Sequence, residues 1–355
     1  MKKRIFRLAI LLILALVMVL TISLPALANK PDGKSVLNNA IDKGGDRLLA
    51  TQGPNSGAIP YNWEWLVGDG NFDNGNLQGI TATGLLAAYE KTRNKAFLDG
   101  AKKAGNVLKQ RYAAAPTERP YSQDVEFLVR LCQDTKDKTY LDTAKKWYTV
   151  VTVDFTAVGL VSRFLDTNAR ASLAGWDVAS QIRAADAAGF KKYANDVAKE
   201  LIRRSADWVN VPYGGYDYTN GSYGALLWAL HDIGGDFMFH TTIDSYRNYL
   251  LANQGADGSW DSDYQTTAYI ILGLDAVKGW SKGTRDALSD AVDYLVDNQA
   301  AEGGWVYEGY GELPEVDSEC VMALQSTVDQ SYFPHGLPGQ HGHGHGHFGG
   351  HGPRH

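Results

Sequence analysis

Four carboxylates near the end of the chain have the spacing of residues that could do acid–base chemistry. Asp261 and Asp263 lie two residues apart, just before an apolar helical stretch, and Glu315 and Asp317 stand in the same position one repeat later. Paired carboxylates can serve as general acid and as base or nucleophile. We therefore predict Asp261, Asp263 and Asp317 as catalytic candidates from their spacing, and Glu315 as a fourth from the segment 314–324 that contains it. Asp317 also suits the N-cap of a helix, which would make it structural.

The long connections that carry these acids are also rich in aromatic residues. Aromatic rings can stack on sugar rings, and basic residues such as Arg163 and Arg170 are few there, which favours a neutral over an acidic glycan. The predicted substrate-binding residues are Trp63, Trp65, Tyr216, Tyr218, Trp260, Trp305, Tyr307 and Tyr310. The alternative is that these rings pack the loops onto the body of the protein, which we expect for about half of them.

Twelve helical segments are predicted between about 34 and 328, and they are of two kinds. Some, such as 95–112 and 138–153, are amphipathic; others, such as 264–279, are apolar on nearly all sides and rich in small residues. The two kinds alternate with a period of 43 to 45 residues, which indicates stacked helical hairpins. We predict an all-α, (α/α)6 barrel (toroid) over 29–333, with the long loops on one face. An open solenoid is the alternative.

The two ends of the chain differ from this central domain. Residues 1–28 combine a basic start, an apolar centre and an Ala-x-Ala end, which predicts a secretory signal peptide cut after Ala28 and a secreted protein. An uncleaved anchor is the alternative, and no later stretch is apolar enough to span a bilayer. Residues 334–355 are predicted to be a disordered tail. Its alternating histidines, His341, His343, His345 and His347, could bind Zn, Ni or Cu, or simply be solvated.

Composition limits the partners that the chain can have. A net charge of -6 and a pI near 5.8 argue against nucleic acid. The two cysteines of the chain, Cys132 and Cys320, could form a disulfide or remain as two buried thiols. The order of the predicted inner helices places them two hairpins apart around the ring, which favours the thiols. We expect a monomer that requires no cofactor.

Two stretches near the end of the chain share one motif. Tyr249-Leu250, Gln254 and Gly258-Ser259-Trp260 are matched 45 residues later by Tyr294-Leu295, Gln299 and Gly303-Gly304-Trp305. The motif resembles the QW repeat of squalene–hopene cyclases, whose superfamily shares the α/α toroid with protein prenyltransferases. The resemblance implies a structural role for Gln254 and Gln299, which can hydrogen-bond helix ends.

The segment 314–324 carries a second resemblance, to the part of these cyclases that holds the DxDD motif. The resemblance places Glu315 on the first acidic position, Asp317 on the alkene-protonating residue and Ser318 on the last Asp, so the motif is incomplete. A single toroid is also smaller than the usual cyclase. We therefore predict a secreted toroid that binds or hydrolyses a neutral polysaccharide. The alternatives are a non-catalytic envelope or partner-binding toroid, and a terpene-cyclase-like enzyme that uses Asp317.

Overall fold

The computed structural model describes residues 33–53, 59–73, 75–277 and 281–328, and helices dominate these ranges. They contain thirteen α-helices, one more than the sequence predicts, and a short 3-10 turn at Ser205–Asp207. In chain order the helices are α1 (Gly33–Thr51), α2 (Leu77–Thr92), α3 (Lys95–Ala114), α4 (Ser122–Thr135), α5 (Lys138–Asp154), α6 (Ala157–Thr167), α7 (Leu173–Ala187), α8 (Lys191–Arg203), α9 (Thr219–Asp232), α10 (His240–Ala252), α11 (Tyr264–Ala276), α12 (Lys282–Asp297) and α13 (Pro314–Thr327).

Six of the helices form a closed inner ring. In order around the ring they are α2, α4, α7, α9, α11 and α13; each packs on the next, and α13 packs on α2. Small residues permit the close approach: a Cβ on Gly273 of α11 would lie 2.2 Å from the carbonyl oxygen of Gly224 in α9. The predicted toroid is confirmed, and the closed ring excludes the open solenoid.

The outer layer is amphipathic. Helix α1 packs against both α2 and α13, and α3, α5, α8, α10 and α12 cover the rest of the ring. Helix α8 shows the pattern, because Ala194, Val197 and Leu201 are buried while the lysines of its other face are exposed. An apolar stripe along one side of a helix drives this packing.

Helix α6 is the helix that the sequence analysis did not predict, since the segment 138–153 was taken as the last helix before the next inner one. The hydroxyl of Thr156 accepts a hydrogen bond from the N–H of Gly159 at 3.1 Å and so caps the helix. Leu160, Val161 and Leu165 are buried, and the helix packs on α7 and α8. Its eleven residues are too few to show the apolar period clearly.

The long connections meet at the N-terminal ends of the inner helices, and we call this end of the ring the mouth. They span 52–76, 204–218, 253–263 and 298–313. The last of them holds a small antiparallel hairpin, β1 (Val306–Tyr307) paired with β2 (Gly311–Glu312). The predicted signal peptide and the predicted metal-binding histidines of the tail lie outside the described residues.

Two further predictions can be compared with the described residues. Cys132 is half-buried, Cys320 is buried, and both are unpaired thiols. Among the described helices, none is by itself both long and apolar enough to cross a bilayer. The bent pair Lys138–Asp154 and Ala157–Thr167, at 84°, meets the requirement only when the two helices are taken together.

Candidate functional site

The tryptophans of the repeated motif are parts of the scaffold. Trp63, Trp260 and Trp305 are fully buried. Each indole N–H donates a hydrogen bond at 2.8 Å to a carbonyl oxygen at the end of the preceding outer helix, those of Leu48, Leu250 and Leu295 respectively. The prediction that these three tryptophans bind substrate is therefore wrong, because none presents a face to solvent.

The motif glutamines join neighbouring outer helices. The amide of Gln254 donates to the carbonyl oxygens of Gly258 in its own loop and Ala287 in α12, both at 2.8 Å. The amide of Gln299 donates likewise to Gly303 at 2.8 Å and to Ala40 in α1 at 2.9 Å. Because α1 starts the described chain and α12 lies near its end, the Gln299 bonds connect the two ends of the ring.

The predicted catalytic pair Asp261 and Asp263 lies at the rim of the mouth. Asp263 caps α11 by accepting from the N–H of Thr266 at 2.6 Å, and it also accepts from the hydroxyl of Tyr307 at 2.9 Å. Asp261 adopts a left-handed conformation (φ 58°) and accepts from the amide of Asn220 at 2.8 Å. Burial raises the pKa of the Asp261 carboxyl, which the Asn220 hydrogen bond partly offsets. Both acids thus hold loop structure.

Asp317 points away from the centre of the ring. It is fully buried and accepts from the backbone N–H of Trp305 at 2.7 Å. Its neighbours are Glu312 and, behind it, Arg47 of the outer helix α1, which donates two hydrogen bonds of 2.6 Å to the Glu312 carboxylate. Burial, with Glu312 beside it, raises the pKa of Asp317 well above its ordinary value. Asp317 therefore contacts the hairpin and the outer helix α1, whereas the proton-donor role expected from the sequence stays a prediction.

The acids that do face the centre of the ring, its lumen, are Glu315 and Glu319 of α13 and Asp177 of α7. Helices α7 and α13 are opposite members of the six-helix ring, yet the carboxylate of Asp177 acts electrostatically on Glu315, so the two face each other across the lumen. Burial is the larger cause and the negative charge of Asp177 the smaller one, and together they raise the pKa of Glu315 to about 7. Burial raises the pKa of Asp177 to about 6, and a 2.8 Å hydrogen bond from the Asn168 amide to its carboxylate limits that rise.

Glu319 lies one turn deeper than Glu315 and is almost fully buried. Neither of its carboxylate oxygens accepts a well-formed hydrogen bond from the described residues. Burial and the neighbouring Glu315 raise its pKa well above the ordinary value, while the side chains of Tyr269 and Gln265 oppose the shift. A carboxyl in this environment is held in its neutral form.

Aromatic rings line the wall beside these acids, and ion pairs close the lumen below them. Trp176 meets Tyr269 edge to face, with ring centroids 4.5 Å apart. Deeper, Arg183 lies 3.1 Å from the centroid of the Trp228 ring and pairs with Glu126 of α4 and Asp232 of α9. The centre of the ring therefore has aromatic rings and carboxyls towards the mouth and a floor of ion pairs below them.

The remaining predicted aromatic residues lie at the rim. Tyr216 and Tyr310 are the most exposed, Trp65 is partly exposed, and Tyr218 and Tyr307 are half-buried. Tyr307 donates to Asp263, and burial raises the pKa of its hydroxyl far above the ordinary value. These five rings, unlike the motif tryptophans, remain available to a ligand.

Sequence reasoning missed Asp177, Glu319 and Trp176. Glu315 and Glu319 are four residues apart on one helix, a spacing that places them on a shared face. Asp177 follows Trp176 in the second turn of another inner helix, and it could be linked to α13 only once the ring order was known. In the part of the chain that the structure describes, no group of three or more His, Cys, Asp or Glu side chains is arranged to hold a metal ion.

The closed ring defines the fold of the protein as an α/α toroid, which a terpene cyclase and a mannanase of known structure also have. The type II terpene cyclase MstE from Scytonema aligns over 83% of this chain and 98% of its own, with a TM-score of 0.57 and 13% identity. An α-1,6-mannanase of Salegentibacter sp. HEL1_6 aligns over 82% of this chain and 99% of its own, with a TM-score of 0.59 and 10% identity. An unsaturated glucuronyl hydrolase from Streptococcus agalactiae aligns over 84% of this chain and 94% of its own, with a TM-score of 0.60 and 14% identity.

Sequence comparison gives a narrower match. No protein-family model matches the chain. A copalyl diphosphate synthase from Streptomyces cyslabdanicus is 31% identical over 96 residues. That match covers 26% of this chain and only 17% of the synthase. The resemblance to terpenoid cyclases is thus confirmed at the level of the fold.

Proposed function

We propose that the protein binds and hydrolyses a neutral polysaccharide at the mouth of the ring, with Glu315 and Asp177 as its paired acids. The observation that carries the proposal is that these two carboxyls, from opposite inner helices, face each other across the lumen beside Trp176. Both remain partly accessible, unlike the deeper Glu319. A pair of this kind can protonate the glycosidic oxygen and activate water or attack the sugar carbon.

The raised pKa values suit a division of labour between the two acids. Near neutral pH, Glu315, with a pKa of about 7, keeps its proton more readily than Asp177, with a pKa of about 6. Glu315 is then the general acid, and Asp177 is the base or nucleophile, oriented by Asn168. The anomeric configuration of the first product separates the two roles of Asp177, because a base inverts it and a nucleophile retains it.

The similar structures support a glycan as the ligand. The mannanase was seen with α-1,6-mannotriose in an inactive variant whose two neighbouring aspartates are replaced by asparagine. The glucuronyl hydrolases act on sugars that carry a carboxylate. Here the lumen holds several acids, and Arg183 and Arg130 are already paired, Arg130 with Glu90 at 2.5 Å. An uncharged sugar therefore fits this lumen better than an acidic one.

The test is a reducing-sugar assay on dextran, yeast mannan, barley β-glucan and amylose. The wild-type protein should release reducing ends from at least one of them, and Glu315→Gln and Asp177→Asn should each lower kcat at least about a hundredfold. Asp263→Asn and Asp317→Asn are the matched controls and should keep most of the activity. Activity that survives both lumen changes, or that is lost only in the controls, contradicts the assignment.

We also propose that the chain works outside the cytoplasm, as its first 28 residues suggest. The support is the sequence pattern alone. Expression in a secreting host, followed by N-terminal sequencing of the protein in the medium, should give a start at Asn29. A cell-bound protein that keeps its first residues would contradict export with cleavage.

A second candidate function, terpene-cyclase-like protonation of an alkene, rests on Glu319. This acid is buried, neutral and next to Tyr269, whose ring could stabilise a carbocation. The match to copalyl diphosphate synthase supports it, whereas the ion-paired floor does not favour a long apolar chain. Incubation with geranylgeranyl diphosphate and mass spectrometry of the extract tests it. A cyclic product that Glu319→Gln abolishes would replace the glycan proposal.

A further inference from the structure

A two-glycine hairpin holds a pair of tyrosines above the mouth. The backbone N–H of Tyr213 donates to the carbonyl oxygen of Tyr216 at 2.8 Å, and the reverse bond is 3.0 Å. Gly214 and Gly215 form the turn with φ of 61° and 93°, a conformation that glycine adopts without strain. The rings are 39% and 71% exposed, so the turn presents two aromatic faces to solvent.

The hairpin is fixed to the helix that carries the proposed base. The hydroxyl of Ser172, next to the start of α7, accepts a hydrogen bond from the N–H of Tyr218 at 2.8 Å. The hydroxyl of Ser222 in α9 donates a second bond, of 2.6 Å, to the carbonyl oxygen of Ser172. The hairpin therefore has a set position relative to Trp176 and Asp177. A fixed platform loses little entropy when a ligand binds.

A row of rings leads from this hairpin to the acids. The centroid of Tyr216 lies 6.5 Å from that of Tyr218, and Tyr218 lies 6.4 Å from Trp176. Trp176 is adjacent in sequence to Asp177 and touches Tyr269 deeper in the lumen. The nearby charged groups, Asp217 and Asp261, are both acidic. A row of rings beside acidic groups fits an uncharged, repeating ligand better than an anionic one.

We propose that the Tyr213–Tyr216 hairpin is an outer binding subsite for the glycan chain, beyond the sugars held at the acids. The inference rests on the proposed function and adds a preference for long chains over short ones. A polymer can contact the hairpin and the acids together, whereas we expect a trisaccharide bound across the two acids to place too few of its sugars on the hairpin side to contact Tyr216. The hairpin then adds affinity only for the longer ligand.

The test measures binding of long and short ligands separately, in the Asp177→Asn background so that nothing is cleaved. Affinity electrophoresis in gels that contain dextran, yeast mannan or barley β-glucan reports the polymer. Calorimetry with isomaltotriose, mannotriose and cellotriose reports the short ligands. Tyr216→Ala should weaken binding of the polymer about tenfold and leave trisaccharide binding unchanged, and Tyr216→Phe should restore the polymer affinity.

Phe237→Ala is the matched control, since this ring is 91% exposed on the connection at the opposite end of the ring. It should change neither affinity. If Tyr216→Ala binds the polymer as tightly as its parent does, the inference is overturned and the proposed function stands. The same conclusion follows if Tyr216→Ala lowers the affinity for polymer and trisaccharide equally. If the parent binds no glycan of either length and the wild type cleaves none, the proposed function fails, and the inference fails with it.

Discussion

Two acids on one helix, Glu315 and Asp317, have different surroundings because of the direction in which each side chain points. Residues two apart on an α-helix project from nearly opposite sides. Glu315 therefore faces the lumen and Asp177, whereas Asp317 faces the outer helix α1 and the pair of Arg47 and Glu312. The first carboxyl is the one on which the proposed function depends, and the second ties the hairpin β1–β2 to the scaffold.

The cluster around Asp317 gives a prediction about stability. Asp317→Asn should change the free energy of unfolding by less than about 1 kcal/mol, because an amide can still accept from Trp305 and resembles the neutral acid. Arg47→Met should cost about 2 kcal/mol, since it leaves the buried Glu312 carboxylate unpaired; Arg47 is partly exposed, which reduces the loss. Urea unfolding at pH 7 measures both. A larger cost for Asp317→Asn than for Arg47→Met would contradict this account.

At the scale of elements, the repeated motif works as a connector between neighbouring outer helices. Its glutamine bonds its own loop and the next outer helix, its tryptophan covers the end of the helix before it, and its glycine allows the contact. A Cβ on Gly303, where φ is 103°, would lie 2.2 Å from the carbonyl oxygen of Lys43 in α1. The same arrangement at Gln52 and Trp63 shows a third copy with a longer loop.

The connector glutamines with the shorter hydrogen bonds should contribute more to the free energy of unfolding. Gln299→Ala and Gln254→Ala each remove two bonds of 2.8 to 2.9 Å and should cost about 1–2 kcal/mol, since buried carbonyl oxygens lose a donor. Gln52→Ala removes bonds of 3.2 and 3.3 Å and should cost less. Urea unfolding gives the values, with the exposed Gln110→Ala as the control. A loss at Gln110 as large as at Gln299 would refute the connector role.

The elements also show why the fold was easier to predict than the site. The 43 to 45 residue period survives in the sequence because each hairpin must bury the same inner helix, so the toroid was predictable. Helix α6 breaks that period, and its cap, Thr156, is a common residue in loops as well. Trp260 and Trp305 were given two roles because a tryptophan near a loop can cover a helix end or stack on a ligand, and burial alone decides between them.

The site depends on contacts between distant parts of the chain. Glu315 was predicted from the resemblance of the segment 314–324, but Asp177 lies on the opposite inner helix, and no local spacing relates the two. Asp261, Asp263 and Asp317 have the same acidic character in sequence, yet hydrogen bonds to Asn220, Thr266 and Trp305 give them structural surroundings. Side-chain direction and ring order, which sequence spacing does not contain, separate the two groups.

At the scale of the whole molecule, the ring brings several buried acids together. Burial raises the pKa of Glu126 and Glu315 to about 7 and that of Asp177 and Asp232 to about 6. Each group therefore holds its proton more tightly in the folded than in the unfolded chain. Their stabilising effect is complete below the ordinary pKa of a carboxyl and is lost as the pH rises through the folded-state values.

The toroid should consequently lose stability between about pH 5 and 8, and Glu315→Gln should reduce that loss. The amide cannot ionise, so the variant should be more stable than the wild type by roughly 1–2 kcal/mol at pH 8 and nearly equal to it at pH 5, a modest gain because Glu315 keeps some exposure to solvent. Urea unfolding at the two pH values measures the difference, with Asp142→Asn on the exposed face of α5 as the control. A gain of the same size at both pH values would show that Glu315 does not titrate in this range, and it would remove the electrostatic basis for making it the general acid.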